Sequence, residues 1–69
     1  MQTIQLRDDY IKLGQALKAA GLVGSGVEAK LAIQDGQVLV NNTVEFRRGK
    51  KLHALDLIEF QGEQVKIEK

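Results

Sequence analysis

The sequence predicts an α+β domain, with two helices packed on one side of a small, mostly antiparallel sheet. Three observations carry that expectation. A capped stretch starting at Ser25 follows a shorter one with helical apolar spacing. Asn41-Asn42 separates Val38 and Val40 from Val44 and Phe46, as a tight hairpin turn would. The last third of the chain alternates around Gln61-Gly62-Glu63, the pattern of two paired strands.

Thr3–Arg7 alternates, with Ile4 and Leu6 on one side, and reads as a short half-buried strand. Asp8 or Asp9 is placed to cap the next helix by accepting its free N–H groups. Tyr10, Leu13, Leu17 and Ala20 recur at helical spacing, so residues 10–20 form helix one. Gly21 follows where a left-handed residue commonly ends a helix. In helix two, Ser25 and Glu28 form the S-x-x-E pair that satisfies backbone donors reciprocally. Its inner face carries Ala29, Ala32, Ile33 and Gly36, and Gly26, Lys30 and Gln34 make a polar outer stripe. Gly36 is the stop. Asparagine tolerates positive φ, which suits Asn41-Asn42 to the hairpin. Leu52–Asp56, Leu57–Phe60 and Gln64–Glu68 complete the strands, and the last is expected to pair with Thr3–Leu6.

A chain of 69 residues is one domain, here residues 1–69. A domain this small buries only about 60% of its unfolded surface. With no Cys, neither a disulfide nor a thiolate metal site supplements the core, which fits a reducing, cytoplasmic compartment. The first residues lack the basic start and apolar run of a signal peptide, and no apolar stretch approaches the roughly 20 residues a membrane helix needs. The expectation is a soluble monomer.

Ten cations and nine acids leave a net charge of +1, so attraction to a polyanion must rest on segregation of charge. The segregation is visible: Arg47, Arg48, Lys50 and Lys51 fall within five residues, and 47–53 contains no acid. Arginine offers a planar fork for phosphate oxygens and lysine a mobile point charge. The competing reading is a solvated basic loop that protects a strand edge. Backbone N–H groups at Gly24, Ser25 and Gly26 open helix two and offer a phosphate seat, although Glu28 competes for the same positive end. Lys30 and Gln34 would extend such a contact, or form an ordinary wet face. Asn41 and Asn42 are turn residues first and contact residues second. Tyr10, Phe46 and Phe60 are the only aromatics, two of them at core spacing. That favours recognition of RNA shape and backbone over stacking of splayed bases.

Catalysis has little support. The single His53 lacks a sequence partner, Ser25 is explained as a cap, and no metal-ligand spacing occurs. The glycines at 21, 24 and 26 fit neither a P-loop nor a dinucleotide fingerprint. No enzyme activity, cofactor or small-molecule substrate is expected.

Lys12-Leu13, Leu17, Gly21, Ser25, Ala29, Ile33, Gly36, Val38, Val40, Asn41 and Asp56 together resemble the S-four domain family, whose helix-loop-hairpin core is the αL RNA-binding motif. The likeness spans about residues 10–60 and is nearest to the small stand-alone bacterial YbcJ-like members. It implies binding of structured RNA, ribosomal or transfer RNA, with ribosome association, on the face of helix two and the following hairpin. Carried over, it implicates Lys12, Ser25, Lys30 and Asn41-Asn42, and the 47–51 block matches the stand-alone members. The chain departs from the family pattern at Gly26, where many members have Arg, at Gly14, where Asp is common, and at Asn42, where Gly is common. The missing Arg shifts the burden to Arg47, Arg48, Lys50 and Lys51. Two other classes compete. One is a ubiquitin-like sulfur carrier, which needs a Gly-Gly tail where this chain reads V-K-I-E-K. The other is a module docking an acidic protein. DNA binding is weaker still, since no basic recognition helix is apparent.

Overall fold

A computed structural model describes residues 1–69. The elements are β1 (Gln2–Gln5), β2 (Ile11–Lys12), α1 (Leu13–Ala19), α2 (Gly26–Gln34), β3 (Val38–Val40), β4 (Thr43–Val44), β5 (Lys51–Leu52), β6 (Leu57–Phe60) and β7 (Glu63–Glu68). Five strands form one sheet in the order β1-β7-β6-β3-β4, and β2 and β5 form a separate ribbon. All pairings are antiparallel except β1 with β7, where Gln2 lies opposite Val65 and Gln5 opposite Glu68. The expected union of the first and last strands is therefore present.

Alternation along the strands decides which face is buried. Val40 lies opposite Ile58, and Ile58 opposite Val65, so these side chains line one face in a row. With Val38, Phe60 and Ile67 they pack against Leu13, Ala16 and Leu17 of α1 and Ala29, Ala32 and Ile33 of α2. Each large aliphatic side chain so enclosed contributes about 1.5–3 kcal/mol. Leu52 on β5 is also fully buried, which fixes the ribbon to this core.

Local signals act much as the sequence predicts. Gly21 and Gly36 end the helices with φ of 73° and 76°. Asn41 and Asn42 have φ of 52° and 68°, the geometry of a two-residue type I′ hairpin. Gln61 and Gly62, at 51° and 80°, turn β6 into β7 the same way.

Three expectations are corrected. Helix one starts at Leu13, not residue 10, because Ile11 and Lys12 are extended and pair with Leu52 and Lys51. Neither Asp8 nor Asp9 caps it. The Lys12 N–H donates to Gln15 Oε1 at 3.3 Å, and Leu13 and Gly14 donate to the carbonyls of Lys50 and Arg48 at 2.8 and 3.0 Å. Second, the reciprocal capping at Ser25 is only half formed. Ser25 Oγ accepts from the Glu28 N–H at 3.1 Å, but the Glu28 carboxylate takes the N–H of Gly24 instead, at 3.3 Å. Third, only Lys51–Leu52 of the stretch leading to Asp56 is a strand. Asp56 accepts the His53 N–H at 2.8 Å and closes a turn there.

Candidate nucleic-acid interface

The path of the basic loop is set by α1. A helix begins with N–H groups that have no partner inside it. In α1 the first two are satisfied by carbonyls of Lys50 and Arg48, so the backbone of 48–50 is bonded onto the helix start. Gly14 permits this approach. It is buried, and a β-carbon there would sit 2.7 Å from Cγ of Arg48. The aliphatic stem of Arg48 therefore lies where any larger side chain at position 14 would be. This accounts for Gly14, one of the departures noted above, by close packing.

Arg48 lines a cleft with Lys12, Gly14, Gln15 and Lys18 on one side and Gly26 and Ala29 of α2 on the other. Gly49 forms its edge and also borders a second depression, lined by Arg47, Lys50, Lys51 and His53. No acidic residue lines either. Lys12, Lys18 and Arg48 thus face the start of α2 in the cleft, and Arg47, Lys50 and Lys51 line the adjoining depression across Gly49. Because the surface is open to water, these charges stay solvated and act by local field.

Two of the loop cations carry further contacts. Arg47 is held by Glu45: Oε2 accepts from Nε and from the backbone N–H at 3.0 Å each, and Oε1 accepts from a terminal guanidinium nitrogen at 3.2 Å. Hydrogen bonding from Arg47 holds the Glu45 carboxyl below its ordinary pKa, and the same contact raises that of Arg47. The Arg47 side chain remains 70% exposed. The Lys51 ammonium lies 4.9 Å from the centre of the Tyr10 ring, within cation–π range. His53 packs against the same ring at 6.3 Å.

The other candidate residues are placed differently. Ser25 is committed to its cap, and the N–H of Gly24 is taken by Glu28, which weakens the phosphate seat at the start of α2. Lys30 and Gln34 are exposed on α2 but line neither depression. Asn41 is used structurally. Its Nδ2 donates to Asp56 at 3.0 Å, its Oδ1 accepts from the Leu57 N–H at 2.9 Å, and its own N–H donates to Leu57. Asn42 is exposed at the turn.

Sequence reasoning missed Gln15 and Lys18. The spacing Lys12, Gln15, Lys18 was the available signal, since residues three apart share a helix face. It also misjudged the aromatics. Phe60 is buried at 5% exposure, but Tyr10 is 38% and Phe46 61% exposed. Tyr10 precedes the helix rather than joining its inner face, and Phe46 lies beyond the end of β4.

Residues 4–68 match the family model described as the S4 domain. The chain is 41% identical over 59 residues to a probable ribosome maturation protein, RlbA, of Bacillus subtilis, a match covering 86% of this chain and 83% of that one. It is 37% identical over 68 residues to a putative RNA-binding protein, YbcJ, of Escherichia coli, covering 97% of each. The solution structure of that Escherichia coli protein, described as revealing an αL motif involved in RNA binding, superimposes with a TM-score of 0.77 at 36% identity, over 100% of this chain and 89% of that one. With two helices on one face of a small mixed sheet and a match along nearly its whole length, the chain belongs to the S4 domain family.

Proposed function

We propose that the protein is a non-catalytic RNA-binding module that takes structured RNA of the ribosomal or transfer class. The basic cleft beside α2 holds the sugar–phosphate backbone. The observation that carries this reading is the convergence of Lys12, Lys18 and Arg48 in an acid-free cleft, continued by Arg47, Lys50 and Lys51. The names of two relatives, a putative RNA-binding protein and a probable ribosome maturation protein, support the ligand class.

Binding proceeds by neutralising phosphates and releasing their counterions. With about four to six phosphates contacted, log affinity falls with log salt at a slope of about −3 to −5. The test is a salt titration against folded RNA with Arg47, Arg48, Lys50 and Lys51 all changed to Ala. The variant is expected to lose most of its affinity and to show a much shallower slope. Unchanged binding would sink the mechanism. Phosphate contacts position the protein without reading sequence, so competition among folded RNAs and duplex DNA measures selectivity separately.

A further inference from the structure

The basic loop is entered through an exposed aromatic ring. Phe46 directly precedes Arg47 and is 61% exposed. Its ring is nonetheless seated. A β-carbon on Gly36 would meet Cε1 of Phe46 at 3.4 Å and Cγ1 of Val44 at 3.8 Å, so the edge of the ring rests on the end of α2 beside Val44. The Glu45 carboxylate reaches past residue 46 to bond both the N–H and the guanidinium of Arg47. That contact ties down the backbone on both sides of the ring. The result is a supported aromatic ring, largely open to solvent, with Arg47 and Arg48 immediately following.

Such a pairing of aromatic face and adjacent cations suits one ligand. A nucleobase supplies a flat π face and carries a phosphate within one nucleotide of it. In a continuous duplex every base face is covered by its neighbours, so the ring can stack only on a base outside the helix. Tyr10 does not offer an equivalent surface, because Lys51 covers one side of its ring and His53 packs against it.

We infer that Phe46 is a stacking platform for an unpaired nucleotide, so that the RNA recognised by this surface carries a bulged or looped base next to its duplex. The inference rests on the RNA-binding reading above and adds a requirement to it. The duplex backbone lies along the basic cleft, the extruded base stacks on Phe46, and Arg47 takes the neighbouring phosphate.

The experiment compares two RNA hairpins of the same stem, one fully paired and one with a single bulged 2-aminopurine, bound by the wild-type chain, Phe46→Leu and Phe46→Trp. Base–aromatic stacking predicts that the wild-type chain prefers the bulged hairpin by about fivefold or more. Phe46→Leu keeps an apolar side chain at an exposed position, so folding is preserved and checked by circular dichroism. It should lose the preference while binding the paired hairpin as before. Phe46→Trp should keep it. Quenching of 2-aminopurine fluorescence on binding is expected with Phe and Trp and absent with Leu. Equal affinity of the wild-type chain for the two hairpins, or a preference and quench that survive in Phe46→Leu, would overturn the platform while leaving RNA binding intact. Binding of neither hairpin by the wild-type chain would overturn both readings.

Discussion

Replacing Gly14 by Ala should weaken RNA binding without unfolding the protein. The new methyl would lie 2.7 Å from Cγ of Arg48, too close for that atom to stay, and 3.3 Å from Cδ, a tight contact that must give by a few tenths of an ångström, but 3.6 Å from the Arg48 carbonyl, an ordinary contact. The side chain of Arg48 must therefore turn out of the cleft while the hydrogen bond from Gly14 N–H to that carbonyl survives. Alanine is favoured over glycine within a helix by about 0.5–1 kcal/mol. Forcing Arg48 away from its rotamer costs a similar amount, about 0.5–1.5 kcal/mol. The two nearly cancel, so the urea midpoint should stay close to wild type. Loss of a charge-assisted phosphate bond costs about 1.5 kcal/mol or more, roughly a tenfold fall in affinity. One fewer phosphate contact also makes the salt slope shallower by about 1. Binding would be followed by fluorescence anisotropy of a labelled folded RNA across a salt series. Arg48→Ala should match Gly14→Ala, and the double variant should lose nothing further, because both remove the same contact. A folded Gly14→Ala protein with wild-type affinity and slope would refute the placement of Arg48 in the interface. A double variant weaker than Arg48→Ala would show that the methyl obstructs the cleft directly.

Two further outcomes are expected. Glu45→Gln removes an acid from beside the basic loop, so bulk electrostatics alone would tighten RNA binding. Because Glu45 orients Arg47 through three hydrogen bonds, affinity should instead fall severalfold in the same anisotropy assay, and tighter binding would show that the pair merely masks Arg47. Asn41→Ala strips the bonds to Asp56 and Leu57 that join the hairpin turn to the 53–57 segment, and should destabilise the fold by about 1–3 kcal/mol in urea denaturation. Wild-type stability in that variant would mean that the turn does not depend on this network.

Features set within a few residues were readable from the chain. Gly21, the Asn41-Asn42 turn and the Ser25 cap each follow from the backbone preference of one or two residues. The strands at Leu57–Phe60 and Gln64–Glu68 were readable from local alternation on either side of the Gln61-Gly62 turn. What escaped depended on distant partners. The start of α1 is decided by Lys50 and Arg48, more than thirty residues away. Tyr10 lies at helical spacing from Leu13 and Leu17, yet strand pairing with β5 takes over before it can join the helix. The basic run was visible as charge, but its division was not: Arg48 faces α1, Arg47 is tied to Glu45, and Lys51 covers Tyr10. No one-dimensional pattern encodes such directions, because they arise when the loop is laid against a helix from another part of the chain.

The attachment of the loop to the start of α1 runs through main-chain carbonyls rather than through side chains. Immobilising a residue's backbone costs about 1–2 kcal/mol in conformational entropy, and here that cost falls on folding instead of on association. A partner therefore meets a pre-organised rim. The same arrangement frees side-chain identity at position 50, where one cation can replace another and alter strength and selectivity while the track beneath it keeps its course.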